Sequence, residues 1–215
     1  MPMRYRNLGA ALLFFVGAPL ARAQAKSSAS FDCRKAAGEV EKSVCADPRL
    51  GQLDQRLAKL WRSYLNAFAD DHRLLKVIRG EQTAWLAQRN ACKSDGACVG
   101  KAYEKRYDLL AGRQADRPFA GAHVSTSGTL AVYPLNDGSY LASVMTSDAS
   151  GGSWTCEVFG TGSASGNSLT LSVDKKYSLV VSRDRGALKI AESEATGAVE
   201  QLYCGLNGSI TFTYR

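Results

Sequence analysis

Histidine is nearly missing from this chain: 215 residues hold two, His72 and His123. They lie far apart in sequence, and neither has a Ser or Cys neighbour arranged as a nucleophile pair. No phosphate-cradling G-x-x-x-x-G-K-[ST] loop occurs, and no G-x-G-x-x-G follows a strand pattern. Paired carboxylates are scarce too. Glu39 and Glu41 stand two apart in a helix pattern and so point to different faces. Glu192 and Glu194 share a face of a strand pattern, but nothing around them suggests a pocket that would raise a pKa. The first four cysteines are spaced 12, 47 and 6 apart, which matches no C-x₂₋₄-C zinc pattern. Beyond residue 23 no apolar run is long enough to span a bilayer. These absences argue against an enzyme, a metal or other cofactor site, and a membrane-spanning protein.

What is present begins with an export signal. Arg4 and Arg6 form a positive start, Leu8 to Leu20 is apolar or small, and Ala21-Arg22-Ala23 supplies an A-x-A cleavage site before Gln24. Residues 1–23 therefore read as a removed secretory signal peptide. The first cysteine follows Ser30-Phe31-Asp32, which is no lipobox. The mature chain is expected in the periplasm or secreted. Six cysteines behind such a signal indicate a disulfide framework. Cys33, Cys45, Cys92 and Cys98 fall in a helix-patterned stretch, and Cys156 and Cys204 in a strand-patterned one.

Two modules follow, 24–116 and 117–215, with the boundary where helical periodicity stops near Gly112, Asp116 and Pro118. Charge divides between them. Residues 24–116 hold 17 Lys/Arg against 12 Asp/Glu, a balance of +5; residues 117–215 hold 7 against 8, a balance of −1. The positives alternate with acids along helices, as in Lys101, Glu104, Lys105, Arg106 and Asp108. That pattern reads as a solvated helix face rather than a nucleic-acid footprint.

In the first module Asp47-Pro48 opens a helix. Leu50, Leu53, Leu57, Leu60, Trp61, Tyr64 and Phe68 then recur at spacings of three and four. A second helix follows Asp70-Asp71, with Leu74, Leu75, Ile78, Trp85 and Leu86. A third runs from about Val99 through Tyr103, Tyr107 and Leu110 to Gly112. A short helix between Cys33 and Cys45 turns Ala36, Ala37, Val40 and Val44 inward. The two long helices, joined by a short connection, are expected to pack antiparallel. That geometry favours Cys45–Cys92 among the three possible pairings, with Cys33–Cys98 by elimination.

Phe31-Asp32-Cys33, Ala36, Glu41 and Cys45, then Leu50-x-x-Leu53-Asp54-x-x-Leu57 and Tyr64, then Gln82-x-x-Trp85-x-x-x-Arg89-Asn90-x-Cys92, Cys98 and Tyr103, form an ordered set. Together they resemble the N-terminal domain of LprI-type lysozyme inhibitors over about 80 residues. The resemblance implies an exported, disulfide-bonded helical domain, associated in some members with inhibition of lysozyme. Read physically, Trp85 lies on an apolar stripe and belongs to the core. Glu41, Asp54 and Arg89 are expected to pair across helices; a partner-binding role is the alternative for Arg89.

The second module changes to period two. Alternating runs at Leu130–Val132, Tyr140–Val144, Trp154–Val158, Leu169–Val173, Tyr177–Val181, Leu188–Ile190, Leu202–Leu206 and Ile210–Tyr214 are separated by turns such as Asn136-Asp137-Gly138. About eight short strands imply a closed antiparallel barrel or a sandwich, so the fold class is α+β in two domains. Cys156 and Cys204 occupy inward strand positions and are expected to form one disulfide. In general shape this half resembles the small β-barrel inhibitors of C-type lysozyme. The functional expectation is an exported bacterial binding protein that inhibits a lysozyme-type muramidase by occluding its cleft. The alternative is an envelope protein that touches peptidoglycan or anionic wall polymers. Animal lysozymes are generally basic, so a +5 domain would be repelled at long range. Glu192, Glu194 and Glu200 of the near-neutral module are then the candidate contacts.

Overall fold

The computed structural model describes residues 29–174, 176–193 and 197–215; the signal segment and Glu194 lie outside the described residues. Aspartates start three of the first four helices. α1 spans Glu39–Ala46, α2 Pro48–Ala67, α3 His72–Asn90 and α4 Gly96–Leu110. Asp47, Asp71 and Asp95 are the N-caps of α2, α3 and α4, and each accepts backbone N–H groups of the first turn. Those donors have no partner inside a helix. α4 ends in a Schellman turn, with Gly112 at φ 66° and the Arg113 N–H donating to the Asp108 carbonyl at 2.8 Å. Only glycine suits that position, and a side chain there would collide with the Ala120 carbonyl.

The expected disulfide pairing is overturned. Cys33 bonds Cys45 and Cys92 bonds Cys98, with Cα separations of 5.7 and 5.6 Å. The reason lies in which helix packs on α2. Its closest helical neighbour is α4, not α3. α4 carries Gly96 and Gly100 towards α2, and a Cβ at Gly100 would lie 2.8 Å from Nη2 of Arg49. With α4 against α2, each cysteine pair staples a local turn. One ties the 3₁₀ turn Cys33–Lys35 to the end of α1, and the other closes the α3–α4 connection. Ala36 and Ala37 also precede α1 rather than facing its core; Val40 and Val44 do face it.

The second half is an antiparallel meander: β1 Gly121–Val124, β2 Gly128–Pro134, β3 Tyr140–Ser147, β4 Thr155–Ser165, β5 Ser168–Ser172, β6 Ser178–Asp184, β7 Ala187–Glu192 and β8 Thr213–Tyr214, in that spatial order. Val124 and Arg215 exchange two backbone hydrogen bonds of 2.7 and 2.9 Å. This seam joins the first strand to the last and closes a barrel, which leaves no long edge open. Alternation supplies the interior: Leu130, Val132, Val144, Val158, Leu171, Val181 and Leu188 belong to one buried cluster.

Two strand assignments change. Residues 202–206 are not a strand: α5 spans Ala198–Tyr203, and Leu202 and Leu206 are 59% and 87% exposed. Their alternation imitates a strand without a buried face. Cys204 is half-buried beyond the end of α5. It reaches Cys156 through a single bridge and a disulfide with a Cα separation of 4.0 Å. β1, Gly-Ala-His-Val, has too little alternation to announce itself.

The helices lie on the outside of β2 and β3. Leu130 and Val132 face the barrel interior, whereas Ala131, Tyr133 and Leu141 belong to the helical core. β2 is therefore buried on both faces. Tyr64 of α2 meets Tyr133 edge-on at 4.9 Å, and Phe68 lies 6.3 Å from Phe159 of β4. The Tyr64 hydroxyl sits 2.6 Å from the Leu110 carbonyl and 2.9 Å from that of Val132.

Candidate functional site

Because α4 takes the place beside α2, the facing sides of α2 and α3 stand apart. A cavity of about 380 Å³ lies between them. α2 contributes Asp54, Leu57 and Trp61; α3 contributes Gln82, Trp85, Leu86, Arg89 and Asn90; Tyr103 of α4 lies at the base and Phe31 at the mouth. Helical spacing explains the grouping, since 54, 57, 58 and 61 share one face and 82, 85, 86 and 89 another.

The structure brings the signature residues Asp54, Trp85 and Arg89 into this one groove, with Glu41 at its end. Asp54 and Arg89 are each 7% exposed, but they do not touch directly. The Tyr103 hydroxyl joins them, donating to Oδ1 of Asp54 at 2.9 Å and accepting from Nη1 of Arg89 at 2.7 Å. Oδ2 of Asp54 accepts the Ser30 N–H at 2.6 Å. Arg89 also donates to Oδ1 of Asn90 from Nε and Nη2. Burial first, and then the Asp54 carboxylate, pushes the Tyr103 hydroxyl well above the ordinary tyrosine range. It therefore stays protonated and keeps donating. Glu41 accepts the Gly38 and Ala37 N–H groups through Oε2. Those bonds, with a smaller contribution from the charge of Arg89, hold its carboxyl below the usual range. Trp85 is 8% exposed and meets Tyr103 edge-on at 5.5 Å.

Sequence reasoning missed Arg106. Placed on a solvated face, it is instead 3% exposed and donates through Nη2 to the Tyr133 hydroxyl at 2.7 Å and to Gln82 at 3.4 Å. The signal was available: Val99, Tyr103, Arg106 and Leu110 follow the three-and-four spacing of the buried stripe. Arg106 ties the groove to the barrel. Burial raises the Tyr133 hydroxyl to about 12 despite that nearby guanidinium.

Two of the candidate contacts, Glu192 and Glu200, lie elsewhere, at the α5 end of the barrel. Oε1 of Glu192 accepts the Val199 and Glu200 N–H groups, both at 3.0 Å. Oε1 of Glu200 accepts the Ile210 N–H at 2.9 Å and the Ser209 hydroxyl at 2.7 Å. His72 is exposed at the start of α3, and His123 donates from Nε2 to the Phe119 carbonyl at 3.1 Å. A second cavity, about 530 Å³, lies where the start of α3 meets β4, β5 and α5. Burial and then Asp70 raise the pKa of Glu157 in its wall. Among the described residues, no group of three or more potential ligands could hold a metal ion, and no helix is long and apolar enough to cross a membrane.

The helical half, with its groove and two local disulfides, resembles an LprI-type domain. Residues 33–128 match the model of the family described as "Lysozyme inhibitor LprI". The curated proteins named Lipoprotein LprI from Mycobacterium bovis and Mycobacterium tuberculosis are each 38% identical over 85 residues. That match spans 38% of this chain and 41% of theirs, so it covers less than half the length of either. No solved structure matches the chain significantly.

Proposed function

We propose that the protein is an exported, non-enzymatic inhibitor of lysozyme-type muramidases that works by occluding the sugar-binding cleft, in the periplasm or outside the cell. The observation that carries this reading is the match of residues 33–128 to a lysozyme-inhibitor family. Three closed disulfides suit an oxidising compartment. The barrel, at a balance of −1, is the better surface for a basic enzyme than the +5 helical half. Its α5 end combines apolar and acidic groups. Leu202 and Leu206 project into solvent, and Glu192 and Glu200 are held in place by backbone N–H groups. A fixed carboxylate loses little freedom on meeting a cation. Glu194, a further candidate contact by its place in the sequence, lies outside the described residues.

The test is turbidity loss of cell walls under C-type lysozyme, with purified residues 24–215 added. Dose-dependent protection is expected, and Leu206→Asp should weaken it without changing the melting temperature, because that side chain is almost fully exposed. No protection at large molar excess, with all three disulfides intact, sinks the reading. Whole-chain variants suit this test better than separate halves, since Tyr64, Arg106 and Tyr133 tie the halves together.

A further inference from the structure

We propose that the groove between α2 and α3 is a saccharide site that takes a short run of neutral pyranose rings. Its volume of about 380 Å³ falls within the roughly 300–1,000 Å³ of small-ligand pockets. The groups that line it exclude the other classes of ligand. A cationic ligand would meet the buried guanidinium of Arg89. An anionic one would meet the carboxylates of Asp54 and Glu41, which flank that guanidinium in the groove. A wholly apolar ligand would strip water from Gln82 and Asn90 and return no hydrogen bond. A neutral molecule with one C–H face and a rim of hydroxyls conflicts with none of these groups.

The aromatic and polar groups are arranged for such a molecule. Trp61 is half-buried, so part of its indole remains open in the groove wall, and Trp85 and Tyr103 lie deeper. Indole faces carry partial negative charge that favours polarised C–H groups. Oε1 of Glu41 and the side-chain amide NH₂ groups of Gln82 and Asn90 offer an acceptor and donors around the aromatic surface. Arg89, Tyr103 and Asp54 are already locked to one another, so they present fixed groups rather than ones that must be ordered on binding. The site is independent of the lysozyme contact proposed above: it lies on the helical half, away from α5.

The experiment titrates residues 24–215 with chitotriose and, in parallel, with cellotriose, following tryptophan fluorescence and calorimetric heat. Saturable binding of either sugar is expected, weakened about tenfold by Trp61→Ala. Asn90→Asp, which keeps the oxygen that accepts from Arg89 and removes the amide donor, is the second variant, and it should weaken binding without lowering the melting temperature. Leu206→Asp, on the barrel, should leave binding unchanged. Preference for chitotriose assigns the acetamido group as part of the ligand; equal binding assigns the pyranose ring alone. Absence of saturable binding at millimolar sugar overturns the inference, as does binding that neither groove variant weakens. Lysozyme inhibition without sugar binding also overturns it and leaves the inhibitor reading standing; sugar binding without inhibition does the reverse.

Discussion

The helical half buries Asp54, Arg89 and Arg106, while the buried polar side chains of the barrel, among the described residues, are Ser143 and Thr146. The barrel interior is a continuous apolar cluster closed by hydrogen-bonded strands, so its fold follows from alternation and area removed from water. The helical interior is different. Its charged groups find their partners only when α2, α3 and α4 are all in place, and Arg106, whose Nε has no hydrogen-bond partner, donates from Nη2 to Tyr133 of β2. Four helices of 8 to 20 residues enclose little apolar area. What they lack in area they replace with local disulfides, paired polar groups and the outer face of the barrel. One consequence is that the groove, which depends on that polar wiring, occurs in the half whose geometry is most exactingly specified.

Removing one member of the relay should have the largest effect. Asp54→Ala leaves the Tyr103 hydroxyl and the Ser30 N–H without an acceptor and the buried Arg89 guanidinium without a counter-charge, and should cost about 3–5 kcal/mol in urea unfolding. A cost under about 1 kcal/mol would mean that the relay is ornamental. Disulfide removal tests the loops. Opening Cys156–Cys204, at a sequence separation of 48, should cost about 4 kcal/mol by loop entropy. Opening Cys92–Cys98, at a separation of 6, should cost about 2 kcal/mol. The reverse order would show that loop length does not set what the two bonds contribute. Tyr133→Phe removes the partner of Arg106 and keeps the ring packing; about 1–3 kcal/mol is expected by thermal melts.

The smallest effect separates by pH. The Glu41 carboxyl is held below its ordinary value of 4.5 by the Gly38 and Ala37 N–H groups. A lowered carboxylate pKa contributes stability above the unfolded value, and that stability is lost as pH falls through the folded one. Glu41→Gln should therefore cost less than about 1 kcal/mol at pH 7, and the gap from the parent should close below pH 4.5. A gap that persists at low pH would show that the glutamate acts by shape rather than charge.

Much of this was legible in the sequence. The Asp47 and Asp71 caps, the α2 stripe, the Gly112 stop and the turn before Tyr140 all rest on short-range chemistry. The groove was partly legible: Asp54, Trp85 and Arg89 come together, but through Tyr103, which no charge pattern reveals. α4 begins earlier than its apolar stripe because its cap, Asp95, lies between two cysteines. The disulfide pairing was not legible, because it depends on which helix lies beside α2, and that choice was made by two glycines. Arg106 was hidden in a run of charges, and Leu202 to Leu206 imitated a strand because alternation alone does not show which face meets a core.

The seam between Val124 and Arg215 also sets an order of assembly. Synthesis delivers the helices first, yet the surface they rest on, β2 and β3, belongs to a barrel that cannot close until residue 215 has emerged. Until then the growing sheet has two open edges, each able to pair with a neighbouring chain. The vulnerable interval in the life of this molecule is therefore the delay between making β2 and making β8, and a chaperone that shields extended segments would act there.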